Sequence, residues 1–387
     1  MENQVALEKE NNAAVLYLAF ELSHKKWKLG FSDGKAPQVR QVGIGAGDLG
    51  ALRDEIQKAK RRFGLDESAT VRSCYEAGRE GFWLDRALQA MGIENMVVDA
   101  SSIEVNRRQR RAKTDRMDVE KLVRQLVRYC RGERDVWSVV RVPSPEAEDR
   151  RQLHRGLEVV KEERKQHRVR IQSLLYTQGI DMKVGPKFLT KLDQLRRRWD
   201  QQPISQSLRE RIENEYHRLQ LVEVQIREVK AKQAEQVGAE QKTVALEKVR
   251  RLQQLMGIGL GSSWIFVMEL FGWRQFHNRR ELAAAVGLTP TPYNSGDSVR
   301  EQGISRSGNR RIRKLLIEIA WAWLRFQPKS KLSQWYEERF AKGGKRMRRI
   351  GIVALARRLV IDLWRYVESG IVPEGAQLKA SANSSTC

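Results

Sequence analysis

A long stretch with few glycines and aromatic residues, from about Glu146 to Glu247, constrains the fold of this chain more than any other feature. Charged residues there alternate with Leu, Val and Ile at the a and d spacing of a heptad, interrupted by Glu215. A preceding run has a similar register, so the stretch predicts a coiled coil or helical hairpin, paired within one chain or across a dimer. The apolar positions of the two runs are Leu153, Leu157, Val160, Ile171 and Leu174, then Leu208, Ile212, Leu219, Val222, Ile226 and Val229.

The residues before this stretch predict alternating strands and helices. Three antiparallel strands come first, and helix and strand then alternate, an order that matches an RNase H-like (RuvC-like) fold. The expected class is therefore α/β at the N-terminus, followed by all-α regions. The predicted strands are 15–20, 26–31, 38–42, 70–75 and 96–98, and the predicted helices are 48–63 and 82–91.

Acidic residues lie at the ends of these elements. Glu21 ends the first strand, Glu76 ends the fourth, and Asp115 and Asp118 share one side of a predicted helix start. Carboxylates brought together from distant elements can hold two Mg²⁺ ions for phosphoryl transfer. The alternative is that they are surface and capping acids; for Asp115, which follows Thr114, capping explains the residue at least as well.

A second candidate site lies in the stretch from Gly287 to Leu316. Pro290 and Pro292 exclude helix, and the Asn-Ser-Gly-Asp that follows favours a turn. An apolar helical pattern then resumes behind several arginines, so a serine-bearing loop would lie beside a basic helix N-terminus where a phosphate can bind. Ser295 is the candidate nucleophile, and the alternative is an ordinary turn serine.

The chain has 72 Lys and Arg against 48 Asp and Glu, a net charge of +24, so a polyanion is the expected partner. The basic segment 106–116 is either a phosphate clamp or a solvated loop. The sequence LMGIGLGSS at 255–263 resembles a helix-hairpin-helix turn, with a plain helix C-cap as the alternative. The candidate nucleic-acid contacts are Arg107, Arg108, Arg110, Arg111, Lys113, Gly257, Gly259, Arg300, Arg306, Arg310, Arg311 and Arg313.

The composition predicts a cytoplasmic protein with no membrane partner, and a basic membrane-surface protein is the alternative. No apolar run is long enough to span a bilayer, the N-terminus has no signal pattern, and the three cysteines have no metal or disulfide spacing. Further expectations are a basic turn over 342–349, a helix over 350–366, and core positions for Trp321 and Trp323. The predicted domains are 1–145, 146–247, 248–370 and a disordered tail over 371–387.

Four motifs, taken in order and spacing, resemble one family. They are CYEAG at 74–78, KTDRMD at 113–118, LMGIG at 255–259 and AAVGLTPTPYNSG at 284–296. The chain resembles, over nearly its whole length, the DEDD transposases of bridge-RNA-guided insertion sequences, a family that includes the Piv-type invertases. The family has Asp at its first acidic position, whereas this chain has Glu21, whose side chain is one methylene longer.

The resemblance implies a DNA transposase or site-specific recombinase with Mg²⁺ held by Glu21, Glu76, Asp115 and Asp118. It implies a composite site in a dimer or tetramer, with the acidic domain of one subunit facing the Ser295 domain of another. It also implies a covalent phosphoserine link to donor and target DNA, and guidance by a structured noncoding RNA. The alternatives are a metal-only, junction-resolvase-like nuclease and a catalytically decayed nucleic-acid-binding scaffold.

Overall fold

The computed structural model describes residues 14–103, 115–240, 243–295 and 298–379, with the side chains of 101, 115–117 and 292–302 outside the description. The chain divides into two compact units, Met1–Val142 and Pro143–Cys387. The predicted boundary at 145 lies close to this division. The predicted boundary at 247 falls inside the second unit, where Arg250 Nε of one helix donates to Val237 O of the preceding helix at 2.7 Å.

A five-stranded sheet of order β3-β2-β1-β4-β5 forms the centre of the first unit. β1 pairs antiparallel with β2 and parallel with β4. Every strand and helix predicted here is present, with bounds shifted by a few residues. The elements are β1 Val15–Leu22, β2 Lys26–Ser32, β3 Arg40–Gly45, α1 Leu49–Arg62, β4 Thr70–Glu76, α2 Trp83–Ala90, β5 Glu94–Val98 and α3 Asp115–Cys130.

Both faces of the sheet are buried, because alternate residues of β1 belong to different cores. Leu16, Leu18 and Phe20 pack with side chains of α1 and α2. Tyr17 and Ala19 pack on the opposite face with side chains of α3. The side-chain period of two therefore assigns each residue of a strand to one of the two helical layers.

Two long helices, α4 Pro145–Tyr176 and α6 Gln206–Gly238, pack against each other within one chain. Of the two predicted pairings of the apolar residues, the one within the chain is therefore present. Leu157 packs with Val222 and Ile226 near the middle of the pair. A separate cluster at the end where the two helices are connected includes Phe188 of the short helix α5 Phe188–Leu192, and its remaining buried members are Ile171, Leu175, Leu192, Ile204, Ile212, Tyr216 and Leu219.

The rest of the second unit is a helical bundle with a two-stranded hairpin. Its largest core includes Trp323, while Trp321 is 48% exposed, so the predicted core position holds only for Trp323. The elements are α7 Val244–Gln253, α8 Leu260–Phe266, α9 Arg279–Val286, β6 Pro290–Ser295, β7 Ser298–Ile304, α10 Arg310–Phe326, α11 Lys331–Tyr336 and α12 Lys345–Ser369, with π-helical turns at Val267–Phe271 and Glu337–Ala341.

Two expectations for the C-terminal region are wrong. The predicted basic turn over 342–349 becomes helical from Lys345, because α12 starts five residues earlier than expected. The predicted disordered tail is ordered over 371–379, where Gln327 Nε2 donates to Gln377 O at 2.8 Å and Lys379 Nζ donates to Ile258 O at 2.7 Å. These backbone acceptors hold the segment against the bundle, a long-range effect that composition alone does not reveal.

No helix in the described ranges has the length and apolarity needed to cross a bilayer.

Candidate active site

Two of the predicted acidic residues leave neighbouring strands at the same level of the sheet. Ala19 of β1 lies opposite Cys74 of β4, and Phe20 lies opposite Tyr75, so Glu21 and Glu76 come next on each strand. Ala19 and Cys74 both belong to the core under α3. Because strand side chains alternate, Glu21 and Glu76 are directed to this same face, at the carboxyl ends of two parallel strands.

The direction of α3 brings its first turn to the same edge. Near its C-terminus, Arg131 Nη2 donates to Gly34 O at 2.6 Å, and Gly34 packs against the ring of Tyr17, early in β1. Nearer its N-terminus, Val119 packs on Gly30, which pairs with Ala19 late in β1. α3 therefore runs opposite to β1.

Asp118, next to Val119, thus lies toward the edge that carries Glu21 and Glu76. Asp115 is the first residue of the same helix and lies one turn further back along it. Its side chain is outside the described part of the structure.

The oxygen-only composition of this set fits Mg²⁺, which prefers carboxylates and water over nitrogen or sulfur ligands. Within the described residues, no three His, Cys, Asp or Glu side chains come close enough together to hold a metal ion. The structure thus brings Glu21, Glu76 and Asp118 to one edge of one face but not into a ligand cluster. Glu76 is exposed, so its side chain is free of close packing that would fix its position.

Ser295 lies at the tip of a β-hairpin rather than in the irregular loop that its two prolines suggested. It is the last residue of β6 and pairs with Ser298, the first residue of β7. Pro290 pairs with Ile304 at the base, and the register shifts between Pro290 and Pro292. The bulge accommodates prolines that cannot donate to a regular ladder. The backbone therefore presents Ser295 away from the helices that flank the hairpin; its side chain is not described.

The base of this hairpin depends on two glycines. Gly287 ends α9 with φ +68°, and a Cβ built there would lie 1.8 Å from Ser307 O and 2.5 Å from Arg313 Nη1. Gly308 has φ +89°, and its Cβ would lie 2.3 Å from Ala285 O. Only glycine fits such left-handed positions at these separations. The start and the end of the hairpin segment are thus fixed against each other.

We expect Gly287→Ala to lower the free energy of unfolding of the second unit by about 3 kcal/mol, because it adds both backbone strain and a backbone clash. Gly303→Ala is the matched control, since Gly303 has φ +92° but open space around a Cβ. The control should cost about 1 kcal/mol, from strain alone. Denaturant unfolding of the two variants measures the difference, and equal costs would contradict the close packing described here.

A buried carboxylate connects three elements beside this base. Glu269, in the π-helical turn 267–271, accepts from His154 Nε2 at 2.8 Å and from Arg155 Nε at 2.8 Å, both on α4. Asn309 Nδ2 donates to its other oxygen at 3.1 Å, while Asn309 Oδ1 caps the first turn of α10. Burial alone would raise the pKa of Glu269, but the hydrogen bonds from His154 and Arg155 and their positive charge hold that pKa far below its usual range.

This network is absent from the predictions made from the sequence, although the sequence contains two signals for it. Glu269 is a single carboxylate inside the apolar run Val267–Phe271, and such a residue is buried only with partners. Asn309 precedes a helical pattern in the position of an N-cap. What the sequence does not reveal is that the two meet, together with a histidine more than a hundred positions away from Glu269 in the chain.

We expect Glu269→Ala to destabilise the second unit by about 3–5 kcal/mol, because it leaves a buried His154, the guanidinium of Arg155 and the amide of Asn309 without their acceptor. Glu374→Gln, which breaks the exposed pair with Lys331, should cost below about 1 kcal/mol. The wild type should lose the Glu269 contribution progressively as pH falls from the ordinary carboxyl range of about 4 toward the depressed pKa of Glu269, since a group with a lowered pKa stabilises the fold fully only above its unfolded pKa. Urea unfolding at several pH values checks both; a pH slope unchanged by Glu269→Ala would refute the assignment.

The predicted basic contacts are distributed unequally. Arg306 and Arg310 are exposed near the hairpin base. Arg311 Nε instead donates to a carboxylate oxygen of Glu158 at 2.6 Å. Arg313 Nη1 donates to Val286 O and to Ser307 O, at 3.4 Å each. These two predicted nucleic-acid contacts therefore make hydrogen bonds within the fold. The side chain of Arg300 and all of Arg107, Arg108, Arg110, Arg111 and Lys113 fall outside the described residues.

The LMGIG motif forms the turn between α7 and α8. Gly257 has φ +86° and packs against Phe326, where a Cβ would approach to 3.1 Å. Gly259 begins α8, its N–H donating to Ser262 Oγ at 3.1 Å, and its α-carbon has open space. Gly257 therefore serves the fold, and Gly259 is exposed but has its N–H and its carbonyl bonded to Ser262.

The sequence of this chain is similar to those of known transposases. Residues 249–337, which contain both the LMGIG turn and the Ser295 hairpin, match the sequence profile of the transposase IS116/IS110/IS902 family. A protein of Sinorhizobium fredii named "Putative transposase y4rJ" is 38% identical over 377 residues, covering 94% of each chain. The chain belongs to the IS110-type family of insertion-sequence transposases.

Two other transposases match over shorter lengths. The transposase of element IS1111A of Coxiella burnetii is 34% identical over 31% of this chain and 33% of its own length. The transposase of element IS1328 of Yersinia enterocolitica is 25% identical over 59% of this chain and 66% of its own length. This transposase therefore acts on DNA, which is a polyanion of the kind that the charge of +24 predicted. The expected transposase class is confirmed.

Proposed function

We propose that this transposase cuts and rejoins DNA with Ser295 as nucleophile and with Mg²⁺ bound by Glu21, Glu76, Asp115 and Asp118. The observation that carries the proposal is the convergence of Glu21, Glu76 and the first turn of α3 on one edge of one sheet face. Structural roles such as capping do not require three elements to direct acids to one edge. The position of Ser295 at a hairpin tip with a fixed base supports its part.

In the proposed reaction, the Ser295 hydroxyl oxygen bonds to phosphorus as the bond from phosphorus to the 3′ oxygen breaks. The hydroxyl proton is balanced by the proton that the departing 3′ oxygen takes up. After strands exchange, a free 3′-hydroxyl attacks the phosphoserine and releases Ser295, so no external energy source is needed. Bound Mg²⁺ would neutralise the phosphodiester and help to ionise a hydroxyl that is a poor nucleophile at its ordinary pKa.

We further propose that the assembly is a dimer or tetramer and that a structured noncoding RNA selects the DNA. The acidic residues belong to the first unit and Ser295 to the second, which allows two subunits to complete one site. Sequence choice would come from base pairing, while Arg306 and Arg310 hold backbone phosphates.

A metal-only nuclease is the second candidate, and the acidic edge favours it because that edge needs no serine. One experiment separates the proposals: incubation of labelled element-end DNA with the protein, with or without Mg²⁺ and with or without RNA from the same element. The recombinase yields cleaved strands and a protein-linked DNA band that both require Mg²⁺. The nuclease yields cleavage without the linked band, and a decayed scaffold yields neither.

A further inference from the structure

A solvent-open cavity of about 440 Å³ lies in the first unit, and the proposed acidic site does not use it. Its volume falls within the range of about 300–1,000 Å³ that is usual for small-ligand sites. Trp27 and Trp83 form its apolar wall, and His24 and Arg79 contribute the polar side. Gly47, with φ +80° and nothing near its missing Cβ, also lines the cavity.

The cavity adjoins the acidic edge along the chain. His24 follows Glu21 by three residues, and Arg79 follows Glu76 by three residues. Both lining segments therefore leave the carboxyl ends of the two parallel strands, where open α/β sheets commonly bind ligands. The cavity is on the side of α1 and α2, since Trp27 belongs to the core that those helices cover.

The two tryptophans are arranged as a platform. Trp27 is 1% exposed and its ring centroid lies 5.8 Å from that of Trp83 at an angle of 34°. Trp83 is 40% exposed, and Glu80 Oε2 accepts from its Nε1 at 3.2 Å, which fixes the ring. A large, oriented and half-exposed indole beside a buried one is suited to stacking with a flat ring.

The rim of the cavity carries one cation, Arg79, and one carboxylate, Glu80. Arg79 pairs with Glu80 at 3.1 Å through Nη2, and its side chain is still 62% exposed, so the rest of its guanidinium faces solvent. Lys25 and Lys26 are exposed next to His24. A stacking surface beside exposed cations is the combination by which proteins bind single-stranded nucleic acid. An acidic peptide would use the rim but would leave the indole face without a flat partner.

We propose that this cavity binds one unstacked nucleotide of single-stranded DNA or RNA, its base on Trp83 and its phosphate at Arg79. The proposal rests on the proposed function, because strand exchange next to the acidic edge exposes unpaired bases. DNA strands and a guide RNA share this chemistry, so the test compares both. The inference concerns binding alone and requires no catalytic step.

The test measures the affinity of the full-length protein, without Mg²⁺, for labelled oligothymidylate, oligouridylate and duplex DNA of equal length. Trp83→Leu removes the ring, Trp83→Phe retains a smaller one, and Ala46→Leu fills the exposed edge of the cavity. Trp199→Leu, which removes a 62% exposed tryptophan in the second unit, is the matched control. Circular dichroism verifies the folding of each variant.

Trp83→Leu and Ala46→Leu should weaken single-strand binding about tenfold, whereas Trp83→Phe and the control stay within about threefold of wild type. Duplex binding should not change. The arm that loses affinity identifies DNA or RNA as the source of the nucleotide. The proposal would be overturned if Trp83→Leu bound both single-stranded probes with wild-type affinity, or if it lost as much affinity for duplex DNA as for single strands. A loss of affinity in Trp83→Phe as large as that in Trp83→Leu would also overturn it. Because no cleavage is measured, a failed recombinase assay would leave this result intact.

Discussion

Ser295→Ala should abolish both strand cleavage and the protein-linked DNA product, lowering the rate by at least about 10³-fold, because removal of a nucleophile leaves only binding and electrostatics. DNA affinity and folding should be unchanged, since Ser295 is at the tip of a hairpin whose stability depends on its base. Cleavage gels under denaturing conditions, with protease treatment to reveal the linked product, measure both activities.

Ser298→Ala is the control for this variant. Ser298 pairs with Ser295 across the hairpin, so Ser298→Ala also removes one hydroxyl oxygen from the same turn. It should retain most of the wild-type rate. Cleavage that persists in Ser295→Ala while Ser298→Ala is normal would assign the chemistry to the acidic edge alone, as in the nuclease alternative.

Glu76→Gln and Asp118→Asn should each reduce Mg²⁺-dependent cleavage by about 10³-fold or more, because an amide keeps the shape but lacks the charge that binds a divalent ion. DNA binding without metal should stay the same or become tighter, since each change removes a negative charge next to the phosphate. Rates measured across a Mg²⁺ titration separate weakened metal binding from loss of folding.

Glu120→Gln is the matched control on the same helix, where Glu120 pairs with Arg124 at 2.6 Å. It should leave the rate within about twofold of wild type, as an exposed pair contributes little. If Glu120→Gln lowered the cleavage rate as much as Asp118→Asn, then loss of any carboxylate charge on α3 would impair cleavage. The specific role proposed for Asp118 would then be contradicted.

The first unit was largely predictable from the sequence because each of its strands and helices has a local hydrophobic pattern. Val15 to Phe20 is a short, continuous apolar run, and such a run predicts a strand that is buried on both faces. Glu21 and Glu76 could be placed at strand ends for the same reason. Their arrival on a common face follows from the parallel pairing of β1 and β4, which a resemblance to a fold can suggest but periodicity cannot.

The second unit was less predictable because long-range contacts override local preference. Pro290 and Pro292 argue for irregular chain, yet a register shift admits them into a strand. Residues 371–379 have a composition typical of a loose tail, yet Gln327 and backbone groups of the bundle hold them. The ties of Arg311 and Arg313 to α4 and to the hairpin base likewise appear only once the helices are packed.

The most direct test of the account locates the residue that becomes linked to DNA. Wild-type protein reacted with element-end DNA and Mg²⁺ is digested with nuclease and trypsin, and the peptide carrying residual nucleotide is fragmented in a mass spectrometer. The proposed mechanism predicts that the linked nucleotide is found on the peptide from Glu281 to Arg300. The added mass should be on Ser295 and absent from Ser298, Thr289 and Thr291. Linkage at any other residue, or full cleavage with no linked peptide, would contradict it.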